Sequence, residues 1–272
     1  LLLPYERTTT YAGGTAGGPQ AFVAASQQVE LYDAELDCEP YRAGIYTAPA
    51  LRFAQEWEES ECLARIRAAA SDLLEQDKIV IGIGGEHTVT LPLVQAHQAR
   101  YPDLQVLQLD AHADLRDEFE GTPLNHACVM RRIYDLCPLV QIGIRCVSLA
   151  EERFIEETGL NSISARQWLS GERDASFVLS HLSSQVYITI DLDVFDPSEM
   201  PAVGTPEPGG LGWYDVLDLL KVVAREKEVV GFDVVELCPQ GDNVAPDFTA
   251  AKLVYKLIGY ITTYSDRFKE VG

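Results

Sequence analysis

The chain has 272 residues, 47% of them apolar and 23% charged, and its 42 acids against 21 bases leave a formal net charge of −21. That balance repels nucleic acid and anionic membrane surfaces and favours small cationic ligands. The apolar fraction suits a folded protein with a sizeable core and argues against disorder. No apolar run approaches the length of a membrane span, and there is no signal-peptide pattern and no Asn-x-Ser/Thr acceptor. The cysteines Cys38, Cys62, Cys128, Cys137, Cys146 and Cys238 show no paired zinc-ligand spacing and read as reduced thiols, so the expected location is the cytoplasm.

Leu1-Leu2-Leu3-Pro4 looks like the tail of a strand and lacks an initiator Met, so the native chain is expected to begin earlier. Apolar residues at helical spacing, among them Trp57, Leu63, Ile66, Ala70 and Leu74, predict a helix over 56–76 that runs directly into a strand at 79–83. Gly84-Gly85 ends that strand and a helix follows over 88–100. The alternation continues with strand 104–110, helix 125–136, strand 139–144, helix 148–158 and a short strand at 161–163. Ser164 and Gln167 form a capping box for a helix over 165–170. A helix at 174–184 feeds a strand at 186–191, a helix at 214–226 feeds a strand at 229–235, and a long helix from about 247 closes the chain. Repeated β-then-α order predicts a parallel sheet covered on both faces, and with no linker between Gly13 and Asp266 residues 1–272 are expected to form one domain.

Polar groups at the ends of such strands lie where α/β proteins keep their chemistry. Asp110, His112 and Asp114 follow one apolar run at two-residue spacing, so in extended backbone they converge on one side, with the small Ala111 and Ala113 between them. Asp191 and Asp193 obey the same rule at the end of another. Buried carboxylates are costly unless paired or metal-bound, and no Lys is nearby, so the reading is a dinuclear metal site. Carboxylates with imidazole suit Mn²⁺, Zn²⁺ or Fe²⁺, and the absence of thiolate from the motif disfavours structural zinc. His87, after the double glycine, reads as a further ligand; the glycine spacing is wrong for either nucleotide-binding fingerprint. His97 and His181 lie mid-helix on polar stretches and read as solvated side chains.

Four ordered motifs now resemble one family. Gly-Gly-Glu-His at 84–87, Asp-Ala-His-Ala-Asp at 110–114, Asp-Leu-Asp-Val-Phe-Asp-Pro at 191–197 and Asp-Val-Val-Glu-Leu-Cys-Pro at 233–239 are similar to those of the ureohydrolases, the arginase and agmatinase family. The resemblance implies a three-layer α/β/α sandwich with a parallel sheet of about eight strands and two Mn²⁺ ions per subunit. It further implies that Asp110 and Asp191 bridge the ions, that His87 and Asp114 complete one site and His112 and Asp193 the other. A hydroxide bridging such ions would exist near neutral pH and attack a guanidinium carbon. By the same resemblance Glu236 holds the guanidinium and His126 relays protons to the amine that leaves. Family members form trimers or hexamers, so a homo-oligomer is expected.

The substrate reading turns on what stands in place of the residues by which arginases hold the amino-acid end of arginine. Arg116 and the run Asp117-Glu118-Phe119-Glu120-Gly121 replace an Asn and a Ser-rich loop, and Arg145-Cys146-Val147-Ser148 replaces an acid-bearing segment. Arginine therefore fits poorly, and the pattern resembles agmatinases, which make putrescine and urea from agmatine. Glu118, Glu120 and Glu207 are candidates for the ammonium end, whereas Arg116 leaves carboxylated substrates such as guanidinobutyrate or formiminoglutamate open. Aminopropylagmatine and guanidine are further alternatives. Cys128 and Cys238, each two residues from His126 or Glu236, read as packing residues. A catalytically silent metal-binding subunit would show loss of one of these eight site residues, and all are present.

Overall fold

The computed structural model describes residues 1–268. Its strands are β1 (Leu2–Leu3), β2 (Val80–Gly84), β3 (Gln105–Leu109), β4 (Leu139–Ile144), β5 (Asn161–Ser164), β6 (Gln185–Asp191) and β7 (Glu228–Val235). All pair in parallel in one sheet of order β1-β2-β7-β6-β3-β4-β5. The described residues thus form seven strands where the resemblance implies about eight, and the first is only the pair Leu2 and Leu3 beside Ile83 and Gly84.

Alternation along the strands divides the core into two layers. Leu107, Leu109, Ile188 and Ile190 enter one, together with residues from α1 (Gly18–Ser26), α6 (Ala165–Leu169), α7 (Ala175–His181), α8 (Trp213–Glu226) and α9 (Ala245–Tyr264). Val106 and Tyr187 point into the other, which is covered by α2 (Glu59–Glu75), α3 (Thr90–Arg100), α4 (Val129–Tyr134) and α5 (Leu149–Thr158). Helices on both faces are what all-parallel strand runs require. The result is an α/β/α sandwich.

Two predicted helices begin differently from the periodicity. Residues 87–89 and 126–128 are single 3₁₀ turns ahead of α3 and α4, so His87 and His126 each open a tight turn rather than lie on a helix body. His97 also departs from its reading. His181 is exposed, but His97 is fully buried, its Nδ1 2.7 Å from the Leu93 carbonyl and its ring packed on Tyr187 and on the bare backbone of Gly231. Burial pushes its pKa down to about 4, so it serves as a neutral core residue.

The sheet's connectivity locates the site. β3 continues to β4 on one side, while β6 continues to β7 on the other, and β3 and β6 are neighbours. Connections that leave in opposite directions open a crevice beyond the C-terminal ends of the two strands.

Candidate metal centre

Four adjacent strands deliver the polar groups. Leu109 pairs with Ile190, so the residues that follow, Asp110 and Asp191, emerge side by side at the switch point. Asp193 lies in the 3₁₀ turn Leu192–Val194, where the Asp191 carboxylate accepts its backbone N–H at 2.9 Å. His87 comes off β2 and Glu236 off β7. The Glu236 Oε1 accepts the backbone N–H of His87 at 2.7 Å, which ties these two strand ends together. Asp114 and Glu236 both have left-handed backbone, with φ of 53° and 66°, a conformation non-glycine residues adopt at local cost. Gly85 is required sterically, because any Cβ there would collide with the Tyr5 carbonyl.

The side chains converge. His87 Nδ1 lies 3.1 Å from Asp110 Oδ2, 3.1 Å from Asp114 Oδ2 and 3.4 Å from Asp191 Oδ2. His112 Nδ1 lies 2.8 Å from Asp193 Oδ2 and 3.7 Å from Asp110 Oδ1. Donor atoms of His87, Asp110 and Asp114 fall within 4.8 Å of one another, and so do those of Asp110, His112 and Asp193, which places Asp110 in both groups. His87 Nδ1 is buried and makes no geometrically sound hydrogen bond although three carboxylates surround it. A nitrogen lone pair aimed into a ring of oxygens, all within reach of one point, fits a hard or borderline divalent cation.

Electrostatics support that fit. Burial pushes the Asp110 carboxyl up to about 7, and Asp193 and Asp114 add to the shift by repulsion. Asp191 is raised well above the usual range by burial and by the charges of Asp193 and Asp110, and Glu236 is pushed up to about 8 by burial and by the charge of Glu86. Burial also acts upward on Asp193, but His112 outweighs it and holds this carboxyl down at about 2. Conversely, burial lowers His87 and His112, yet their carboxylate neighbours prevail and raise both. So many mutually repelling acids at one strand-end crevice are what a positive ion relieves.

Outer groups hold this set, and most escaped sequence reasoning. Thr189 lies 2.9 Å from His87 Nε2 and donates to Asp233 Oδ1 at 2.7 Å; Asp233 also accepts from Tyr187 at 2.7 Å and Thr90 at 3.1 Å. Gln108 donates to Asp110 Oδ2 at 2.7 Å, and Gln141 donates to Gln108 at 2.6 Å. The signal for these residues was present: Gln108, Gln141, Thr189 and Asp233 are polar breaks inside otherwise apolar buried strands. Arg145 braces the turn after β6, donating to the carbonyls of Asp193 at 2.7 Å and Glu207 at 2.8 Å.

A cavity of about 210 Å³ opens above the centre, lined by His87, His112, Asp114, Asp191 and Asp193 and also by His126 and Glu236. All eight predicted site residues are therefore brought together, Asp110 lying buried beneath the rest. Its outer wall includes Tyr11, Arg116, Phe119, Val147 and the buried Glu151. Glu118 and Glu120 stand exposed and outside that wall, because the loop turns Arg116 and Phe119 inward and stacks the Arg116 guanidinium 4.6 Å over the Phe119 ring. Glu207 lies to one side, its carboxylate near His112 and Cys146. Cys128 is fully buried, and burial pushes its thiol up to about 11; Cys238 donates to the Gly13 carbonyl at 3.3 Å.

A parallel α/β/α sandwich that gathers aspartates and histidines at its switch point, under a cavity with a glutamate and a further histidine, defines a metal-dependent hydrolase. The profile described as "Arginase family" matches residues 1–259, and the chain belongs to that family, whose members depend on a binuclear metal centre. An N(1)-aminopropylagmatine ureohydrolase of Synechocystis sp. is 40% identical over 265 residues, covering 95% of this chain and 87% of the relative. An agmatinase of Pyrococcus horikoshii is 33% identical over 261 residues, covering 95% and 90%. The solved agmatine ureohydrolase of Thermoplasma volcanium superposes with a TM-score of 0.88 at 30% identity, over 97% of this chain and 89% of that one.

Proposed function

We propose that this chain is a single-domain agmatinase that uses two Mn²⁺ ions to hydrolyse agmatine to putrescine and urea. The observation that carries the reading is the pair of donor groups sharing Asp110 beneath a cavity that also receives Glu236 and His126. In this reading two ions would be held by Asp110 and Asp191 in common, one of them with His87 and Asp114 and the other with His112 and Asp193. Ions held there would supply Lewis acidity and a water made nucleophilic at neutral pH. Glu236, fixed through its Oε1 by the His87 backbone, turns its carboxylate to the guanidinium and holds the carbon in line for attack. His126 gives the departing amine its proton, since an alkylamine is a poor leaving group unless protonated. Net addition of water breaks the bond from the guanidinium carbon to the alkyl nitrogen and leaves urea. The free cysteines support a reducing, cytoplasmic setting.

A second reading, hydrolysis of N(1)-aminopropylagmatine, is favoured by the 40% identity to an enzyme named for that substrate. The deciding experiment is urea release by the Mn²⁺-loaded chain from agmatine, aminopropylagmatine, guanidinobutyrate, arginine and guanidine, compared as kcat/KM, with formiminoglutamate followed by formamide. Preference for agmatine of tenfold or more is expected. A reversed preference establishes the second reading, activity confined to carboxylated compounds assigns Arg116 as their reader, and silence on all leaves a metal-binding subunit without activity.

A further inference from the structure

His126 does not stand alone at the cavity wall. Its Nδ1 lies 3.0 Å from the hydroxyl of Thr8, which sits 2.8 Å from Oε1 of Glu86. The same hydroxyl accepts the backbone N–H of His126 at 3.1 Å. Thr8 comes from the segment after β1 and Glu86 from the strand end before His87, and both are buried.

The donors and acceptors can be counted. Glu86 receives four donors: the backbone N–H groups of Arg7 at 2.5 Å and Thr8 at 2.7 Å on Oε2, and the hydroxyls of Thr8 and of Thr88, the latter at 2.7 Å, on Oε1. That is the full complement of a carboxylate, which only accepts. The Thr8 hydroxyl has one hydrogen and two lone pairs. Its hydrogen goes to Glu86, so both lone pairs accept, one from the His126 backbone N–H and one from Nδ1. The imidazole must therefore carry its proton on Nδ1 and present Nε2 bare on the opposite edge of the ring. Asn125 fixes the turn as well, its side chain accepting the Ala127 N–H at 2.9 Å.

We propose that Glu86 and Thr8 are positioning residues for His126, a chain Glu86–Thr8–His126 that sets the ring's tautomer and aims Nε2 at the cavity. The inference rests on the role given to His126 above and assigns that role to one nitrogen. Nε2 takes up the proton that the added water gives up and passes it to the amine nitrogen as the carbon–nitrogen bond breaks; the imidazolium formed in between keeps Nδ1–H on the Thr8 oxygen throughout. A hydroxyl relay from a buried carboxylate does for this ring what a directly bonded aspartate does in a hydrolase triad.

Three variants test it. Thr8→Val keeps the shape and removes the hydroxyl; Thr8→Ser keeps the hydroxyl. Thr8→Val is expected to lower kcat about 10²-fold or more, the usual contribution of a positioned acid–base group, with KM and the content of two metals per chain unchanged, and Thr8→Ser to stay within about threefold of the parent. In Glu86→Gln the amide donates to Thr8, the hydroxyl turns to donate to Nδ1, and the tautomer inverts. Imidazole ¹⁵N NMR of the chain loaded with diamagnetic Zn²⁺ reads this directly: Nδ1 protonated in the parent, Nε2 protonated in Glu86→Gln. A parent spectrum with bare Nδ1, or full kcat in folded Thr8→Val, overturns the proposal. If the parent releases no urea from any guanidino compound, the functional reading fails, while the tautomer measurement still decides this inference; it also decides if Thr8→Val does not fold.

Discussion

Thr189→Val tests how the centre is held. Thr189 is fully buried on β6, and its hydroxyl donates to Asp233 at 2.7 Å while lying 2.9 Å from His87 Nε2. That arrangement keeps the proton of His87 on Nε2 and leaves Nδ1 free for a metal. Valine has nearly the same shape, so no cavity forms and only the hydrogen bonds are lost. Losing such an outer partner lowers metal affinity about 10- to 100-fold, or about 1.4–2.8 kcal/mol. The stranded Nε2–H should in addition destabilise the metal-free fold by about 1–3 kcal/mol, a few degrees in melting temperature for a chain of this size. Mn²⁺ titration by calorimetry with electron paramagnetic resonance should show one weakened and one near-normal site, since His112 and Asp193 are not touched. Thr189→Ser should bind both ions normally. Two unchanged sites in a folded Thr189→Val chain would refute the reasoning, because the hydroxyl would then have no part in orienting His87.

Asp110→Asn removes a group that, like Asp191, the reading shares between both ions and that recurs in both compact donor groups, so elemental analysis should find loss at both sites, against loss of one ion in Asp114→Asn. Glu236→Gln should retain both metals, because Glu236 lies outside both donor sets, yet lose about 30-fold or more in kcat/KM, as truncating a buried charge pair costs about 2–5 kcal/mol. The metal-free chain should melt at progressively lower temperature as pH rises from about 4 to 8. Glu236 and Asp110 have folded pKa values raised to about 8 and about 7, so over that window the native state holds protons the unfolded chain has released. His87, also raised, extends the same trend above its ordinary value. Scanning calorimetry across pH checks this, and saturation with Mn²⁺ should remove the slope; a metal-free melting temperature that climbs over pH 4–8 would contradict it.

The strands and the motifs of the candidate metal centre were legible because their signals are local. Val186–Ile190 and Leu104–Leu109 are short apolar runs, and two-residue spacing places Asp110, His112 and Asp114 without any knowledge of the sheet. What joins those segments was not local. Asp110 and Asp191 are neighbours because β3 and β6 pair across the switch point, an ordering that periodicity does not contain. His97 was misread for a related reason: its sequence neighbours are polar, but the partner that makes room for it is Gly231, far along the chain on β7. Glu118 and Glu120 failed as cavity acids because a tight turn, with Glu120 and Gly121 at φ of 51° and 85°, decides which side chains of that loop face inward.

The supporting polar groups share a logic that composition hides. A centre built from repelling acids, with Asp114 and Glu236 in strained backbone, is unfavourable in the empty protein. Away from the centre the buried Asp33 pairs with Lys256, but three buried acids around the ligand set are satisfied by neutral donors: Glu86 by two backbone N–H groups and two hydroxyls, Asp233 by three hydroxyls, Glu151 by the N–H groups of Leu115 and Ser148. None has a Lys or Arg partner among the described ion pairs. Cations placed there would compete for the same carboxylates with any metal ion held at the crevice. Neutral donors stabilise the outer acids, fix the direction in which each ligand and His126 points, and leave the negative potential of the crevice undiminished for the ions it receives.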